Sequence, residues 1–322
     1  MSLSPLQLGL SYCLGFVTLQ AFQAVFLGSL FQQLDSFRVG AWVFGLACLG
    51  CTLLAAVFRP AELRAAMNSG STLLALNASV ALTWCCYFLA VQLVEPAIVF
   101  TIFSGMVPLG ILLTERLGLV PARSVRAPRE QIAHKLIIIA MVILALVTLT
   151  GHSGFVRGGW ASALAGLLLS AVSGATTGIV IQLSVRWHQQ GIGPLVQFGL
   201  RFLLYTLLAI IACQLGLDAK PDAIQSLPLP LIILVGLGVI ALPLFLMQHA
   251  VTLLPAHRIA AVTVLGPVMV FLMQLPDGRI GYASGTLAGL AVYMSGALIG
   301  VSGGRTEQEP EGHCLHYRRN DS

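Results

Sequence analysis

The sequence predicts an all-α membrane protein of ten transmembrane helices arranged as two inverted five-helix repeats, and three observations carry that reading. The first is composition: 57% of the 322 residues are hydrophobic and 9% charged, with a mean hydropathy of +0.91, whereas about a quarter of a soluble domain is charged. The second is a succession of apolar runs of about twenty residues, enough to cross a roughly 30 Å hydrocarbon core as helix. These runs lack the strict alternation of a membrane barrel, and lipid cannot satisfy open strands.

The third observation is an internal match. Pro96 and Pro108 stand twelve residues apart inside one apolar run, and Pro255 and Pro267 repeat that spacing 159 positions later. Ala97/Ala256 and Leu113/Leu272 are also identical, and Ser104/Thr263 is conservative. Proline within a helix removes a backbone donor and clashes with the preceding turn, so a matched pair implies one fold unit used twice.

In order, the spans fall near 6–31, 37–58, 71–93, 96–114 and 136–152, then 159–183, 194–214, 228–250, 256–275 and 282–301. With a cytoplasmic N-terminus, twelve Lys and Arg fall on inside segments and four outside: Arg38, Arg157, Lys220 and Arg279. The positive-inside rule then places both termini in the cytoplasm. Five spans per half is odd, so the second copy enters with opposite orientation. Residues 1–152 and 153–301 form the two repeats, and 302–322 form a charged, disordered cytoplasmic tail. The formal charge of +5 follows from the loop asymmetry, so the partner is the lipid bilayer and no nucleic acid is implied. The loop 115–135 is the most basic stretch, with Pro121 and Pro128 expected to exclude a long helix. No Lys or Arg precedes the first run, so a cleavable signal peptide is not expected.

Inverted repeats build secondary transporters, with a substrate site near the midplane between the halves. Gln197, Arg201 and Tyr205 recur at four-residue spacing on one face of the seventh span. Arg201 lies about 10 Å from the start of that span at 1.5 Å per residue, where a lipid-facing charge costs about 2.5–3.5 kcal/mol. It either snorkels or faces a cavity, where its planar fork would anchor a carboxylate or phosphate. Glu95 and Glu115 sit only at span ends, so no intramembrane acid is expected to neutralise it. Tyr12, Phe16, Gln20 and Gln23 form a mixed face on the first span, as do Asn77, Trp84 and Phe88, with Tyr87 adjacent, on the third; buried amides must point inward. His249 is the candidate proton carrier, and Pro108 and Pro267 are expected to permit bending.

Gly281, Gly285, Gly289, Gly296 and Gly300 share one face of the tenth span, a close-packing surface for a neighbouring helix or for a homodimer. Gly166, Ser170, Gly174 and Gly178 do the same on the sixth. Asn77-Ala78-Ser79 fits a glycosylation acceptor but falls inside a span. The seven cysteines are read as packing residues, the Cys48–Cys51 pair included. No HExxH, nucleophile elbow, Walker loop or paired Cys/His set occurs, so the reading assigns no enzyme activity, no cofactor and no metal.

The ten spans, Pro108, Pro267, Glu115-Arg116, Gly193-Pro194 and Arg201 together resemble the drug/metabolite transporter superfamily, in particular its EamA-type members. The resemblance covers 6–301 and implies ten helices, cytoplasmic termini and export across a bacterial cytoplasmic (inner) membrane. Family members move amino acids, purines, drugs and amino-acid-derived metal chelators. Two departures stand out: Gln274 takes the place of Glu115 in the second repeat, and Phe44 takes the place of Arg201 in the first. The expectation is an exporter of a small polar, carboxylate-bearing metabolite, with Arg201 as anchor and Gln197, Tyr205, Gln20, Gln23, Trp84 and Tyr87 shaping the site. The rival expectation is a non-transporting membrane scaffold or sensor.

Overall fold

A computed structural model describes residues 4–116, 128–220, 229–276, 278 and 280–303. The expected tail and most of the 115–135 loop lie outside these residues. The described residues are mostly helical, with no strand among them and one isolated bridge between Val94 and Val156.

Helix α1 (Pro5–Leu30) starts with a capping box, Ser4 Oγ accepting from the Gln7 amide at 3.3 Å and Gln7 Oε1 from the Ser4 amide at 3.0 Å. Asp35 caps α2 (Ser36–Phe58) through the Phe37 and Arg38 amides. A short α3 (Pro60–Asn68) precedes α4 (Gly70–Leu93) and α5 (Pro96–Arg116). Next come α6 (Pro128–Leu149), α7 (Trp160–Gln189), α8 (Pro194–Leu200) and α9 (Leu203–Gln214). After α10 (Leu229–Gly236), a π-turn at Leu237–Ala241 leads into α11 (Leu242–Leu253); α12 (Ala256–Thr263), α13 (Gly266–Gln274) and α14 (Ser284–Gly303) complete the chain.

Seven helical segments among the described residues are long and apolar enough to cross a membrane: α1, α2, α4, α5, α6, α7, and α8 with α9 taken together. Their outward surfaces agree. Leu49, Leu53, Val57 and Phe58 on α2, and Ile139, Val142 and Leu146 on α6, are exposed. Water would not tolerate so large a continuous apolar surface, and a bilayer requires it. The protein is a multi-pass α-helical membrane protein.

Packing concentrates at small residues. Helix α7 lies against α5 and α4, and α6 against α14. A Cβ at Gly174 would strike the Phe103 carbonyl and one at Gly178 the Val107 carbonyl, so the α5 and α7 backbones touch. The α14 glycine face is filled from within the chain: Gly285 meets Val147, Gly289 meets Leu144, and Gly296 meets Leu136 and Ala133. This is the neighbouring-helix alternative for that face, with α6 as the neighbour.

Prolines produce the departures from the expected spans. Pro128 opens α6 rather than excluding helix, because the first turn needs no proline N–H. The π-turn precedes Pro243 near the start of α11, where the missing donor disrupts the regular ladder. Pro267 stands at the start of α13 after the turn at Val264 and Leu265, so the stretch expected as one helix over 256–275 is two, whereas Pro108 lies inside an unbroken α5.

Replacing Gly178 with Val should lower the thermal stability of the purified protein by about 1–3 kcal/mol or abolish monodisperse extraction. Gly50→Ala, where a Cβ meets nothing within 4 Å, should leave both unchanged. Equal behaviour of the two variants in size-exclusion and thermal melts would contradict the α5–α7 backbone contact.

Candidate functional site

The seventh span breaks where it carries its charge. Arg201 and Phe202 form the turn between α8 and α9, and the break frees backbone groups that a continuous helix would pair. Asn77 of α4 fills the gap: its Nδ2 donates to the Leu200 carbonyl at 2.9 Å, and its Oδ1 accepts from the Leu204 amide at 3.1 Å. One side-chain amide thus replaces one missing i to i+4 hydrogen bond. The Gly199 carbonyl is capped from α2, by Thr52 Oγ1 at 3.0 Å and by Cys48 Sγ. Asn77 is 5% exposed, so its glycosylation pattern is a coincidence of spelling.

Held there, Arg201 is buried, and its guanidinium carbon lies 5.1 Å from the Phe198 ring centre and 4.8 Å from that of Phe202. Nη1 donates to Gln248 Oε1 at 2.6 Å. Gln248 Nε2 donates to Gln197 Oε1, and Gln197 Nε2 to the Ile192 carbonyl at 2.7 Å. Two glutamines therefore relay the guanidinium to a backbone carbonyl. Nε has no partner, and no ion pair to Arg201 occurs among the described residues.

Arg201 forms part of the wall of a cavity of about 70 Å³, several times the roughly 10–15 Å³ that one water needs on the same measure. Helix α1 gives it Phe16 and Gln20, α4 gives Trp84 and Tyr87, and α5 gives Phe103 and Ser104. From the second half come Thr177 and Ser184 on α7, Met247 and Gln248 on α11, and Thr263 on α12. Tyr87 Oη and Ser184 Oγ are buried without a protein partner, as is Arg201 Nε. Orphaned polar atoms are uncommon in a folded interior, and these three belong to residues of one cavity wall.

Of the residues expected to bind substrate, Gln20, Trp84, Tyr87 and Arg201 line this cavity. Gln197 stands one layer behind, orienting Gln248. Tyr205 lies outside the cavity wall: beyond the helix break its ring packs on Phe44 at 5.0 Å, with its hydroxyl against Gly40. Gln23 lies fully buried outside the cavity wall with neither amide atom paired. His249 is also outside the wall, its ring 4.6 Å from Phe245 and 5.5 Å from Tyr12. Pro108 and Pro267 themselves do not line the cavity, although Val107 does. Sequence reasoning missed Ser104, Ser184 and Gln248; the match of Ser104 to Thr263, both in the wall, was the available signal.

A second polar centre closes one end of the bundle. Glu95, between α4 and α5, is 1% exposed. It accepts from the Gly154 amide at 2.8 Å, Gln274 Nε2 at 2.6 Å and Thr286 Oγ1 at 3.0 Å. Gln274 Oε1 in turn accepts from the Ala97 amide at 3.2 Å. The Gln274 departure has a physical reason here, since its amide both donates to Glu95 and accepts from Ala97, whereas an ionised carboxylate could only accept and would repel Glu95.

No family model matches the chain, and no curated protein sequence matches it. Twelve chains of solved structures do. One of them, described only as the crystal structure of a protein, aligns over 92% of this chain and 97% of its own, with a TM-score of 0.60 at 17% identity. The likeness is one of fold.

Asn77→Leu leaves the Leu200 carbonyl and the Leu204 amide buried and unpaired, at about 1–3 kcal/mol each; thermal melts in detergent should show a loss of at least the lower figure, and an unchanged melt would contradict the splint. Burial pushes the Glu95 carboxyl above its ordinary 4.5, the larger effect, while the hydrogen bonds from Gly154, Gln274 and Thr286 pull it back. Between the unfolded and the raised folded value the folded state holds more proton, so stability falls as pH rises from about 4.5 through that window. The difference in melting temperature between wild type and Glu95→Gln, followed against pH, should show that fall. A difference that grows in favour of wild type with rising pH would reverse the assignment.

Proposed function

We propose that this chain is a secondary transporter of the drug/metabolite type, exporting a small carboxylate-bearing metabolite across a bacterial cytoplasmic membrane by alternating access. The observation that carries the reading is a buried guanidinium with no ion partner among the described residues, in a cavity walled by both halves of the chain. A structural arginine would be expected to have its charge matched; one that binds a transported anion must leave it free.

The ten-span, two-repeat reading, with repeats at 1–152 and 153–301, is supported by the pattern of helix neighbours. Counting α8–α9, α10–α11 and α12–α13 as single spans, exchange each span with the one five places on. The pair α1–α11 then becomes α7–α4, and α1 against α12–α13 becomes α7–α5; α6–α14, α5–α13 and α2 against α8–α9 map onto themselves. The joints are alike too: α4 and α11 each end on an extended residue, Val94 at φ −133°, ψ 158° and Leu254 at φ −124°, ψ 142°, one position out of the 159-residue register. Rocking one half against the other about this axis would expose the cavity to each side in turn. An anion leaving a negative-inside cell gains about 2.3 kcal/mol per charge per 100 mV, so export needs no proton relay.

Metabolite profiling of a deletion strain complemented with wild type or Arg201→Ala tests this reading. One anionic metabolite should accumulate in the deletion strain, leave with wild type and be retained at least tenfold with the variant, membrane insertion being equal. Equal export by both would reduce Arg201 to a structural role. No metabolite moving under any condition would favour the scaffold or sensor.

A further inference from the structure

Deepening that transport reading and resting on it, we infer that the cavity selects a monocarboxylate with an apolar, preferably aromatic, body and no ammonium group. Three features of the wall lead there. The first is charge: Arg201 is the one charged side chain in it, and no Asp, Glu or Lys lines it among the described residues. One negative charge is neutralised; a second would be desolvated with no cation to meet it. An α-ammonium, carried next to a carboxylate docked on Arg201, would lie close to a like charge and find no acid to pair with.

The second feature is the direction of the free hydrogen bonds. Nη1 of Arg201 is committed to Gln248, and the Phe198 and Phe202 rings, themselves 5.2 Å apart, pack together on one side of the guanidinium. The edge carrying Nε remains, and an arginine edge presents its donors to a planar two-oxygen acceptor. The unpaired hydroxyls of Tyr87 and Ser184 can each donate as well. These hydroxyls and the Gln20 amide accept as well as donate, so the guanidinium edge suits a carboxylate, while an ammonium is disfavoured by charge, the wall holding no acid among the described residues.

The third feature is the rest of the wall. Phe16, Trp84, Phe103, Leu244, Met247 and Val251 are apolar or aromatic, and Trp84 stands edge-to-face against Tyr87 at 5.8 Å. These surfaces reward an apolar body by burial and an aromatic one by stacking. A sugar acid or hydroxylated acid would leave hydroxyls against them unsatisfied.

Equilibrium binding of radiolabelled phenylacetate to the purified protein in nanodiscs tests the inference, with unlabelled competitors that change one property at a time. Phenylacetamide removes the charge, phenylalanine adds the ammonium, and phenylmalonate adds a second carboxylate. Phenylacetate should bind, and each of the three should compete at least tenfold more weakly than unlabelled phenylacetate. This comparison uses wild type alone, so it does not depend on a variant folding. Phenylalanine or phenylmalonate competing as well as phenylacetate would overturn the inference while leaving Arg201-dependent transport intact, and so would phenylacetamide doing so. Absence of phenylacetate binding overturns it too; if efflux in the complemented strain still depends on Arg201, the transport reading survives, and if it does not, both fall. Ser184→Ala should weaken phenylacetate several-fold while leaving the melting temperature unchanged, an outcome a purely structural serine would not give.

Discussion

Keeping a guanidinium inside an apolar bundle without a carboxylate beside it requires its neighbours to hold the side chain still and to leave part of it unpaired. Both tasks trace to the break between α8 and α9. A continuous helix would bury its own backbone and send the Arg201 side chain wherever helical periodicity dictated. By ending α8 at Leu200, the chain gains freedom to aim the side chain, and Asn77, Thr52 and Cys48 offset the lost backbone pairing. Phe198 and Phe202 flank the charge, and the Gln248–Gln197 relay fixes one nitrogen. Nε is left without a partner, on a residue that lines the cavity.

The end of the bundle that holds Glu95 is closed by two polar clusters, and each joins the two halves. In one, Glu95 gathers Gln274 and Thr286 from the second half. In the other, Asp218 accepts from the Ser36 amide at 2.9 Å and hydroxyl at 2.7 Å, while Lys220 bridges Asp218 to Gln92 Oε1, the latter at 2.8 Å. Buried networks of this kind specify one arrangement more than they add net stability. Aromatic packing of Phe31, Phe44 and Phe88 fills the space between α1, α2 and α4.

The membrane class, the five spans of residues 1–152 and the burial of Gln20 and Trp84 were legible in the sequence because they depend on hydrophobic length and on the cost of burying polar groups. Whether Arg201 snorkels or turns inward was not, and neither was the break beside it that moves Tyr205 off the expected face: periodicity assumes an unbroken helix, and the residue that splints the break, Asn77, lies 124 positions earlier. Pro128 misled in the opposite way, since a proline reads as a breaker until its place in the first turn is known. The glycines of α14 did announce a packing face. That α6 covers it could not be read from the spacing, which describes one surface and not its partner.

An experimental structure determined with a saturating apolar monocarboxylate tests the central claim most directly, because it reports where the one buried guanidinium spends its hydrogen bonds. The account predicts the ligand's carboxylate within hydrogen-bond distance of Arg201 Nε, its body against Trp84 and Phe103, and Gln248 still on Nη1. Arg201 turned out of the cavity to a lipid phosphate, or paired with a carboxylate of the protein itself, would contradict it.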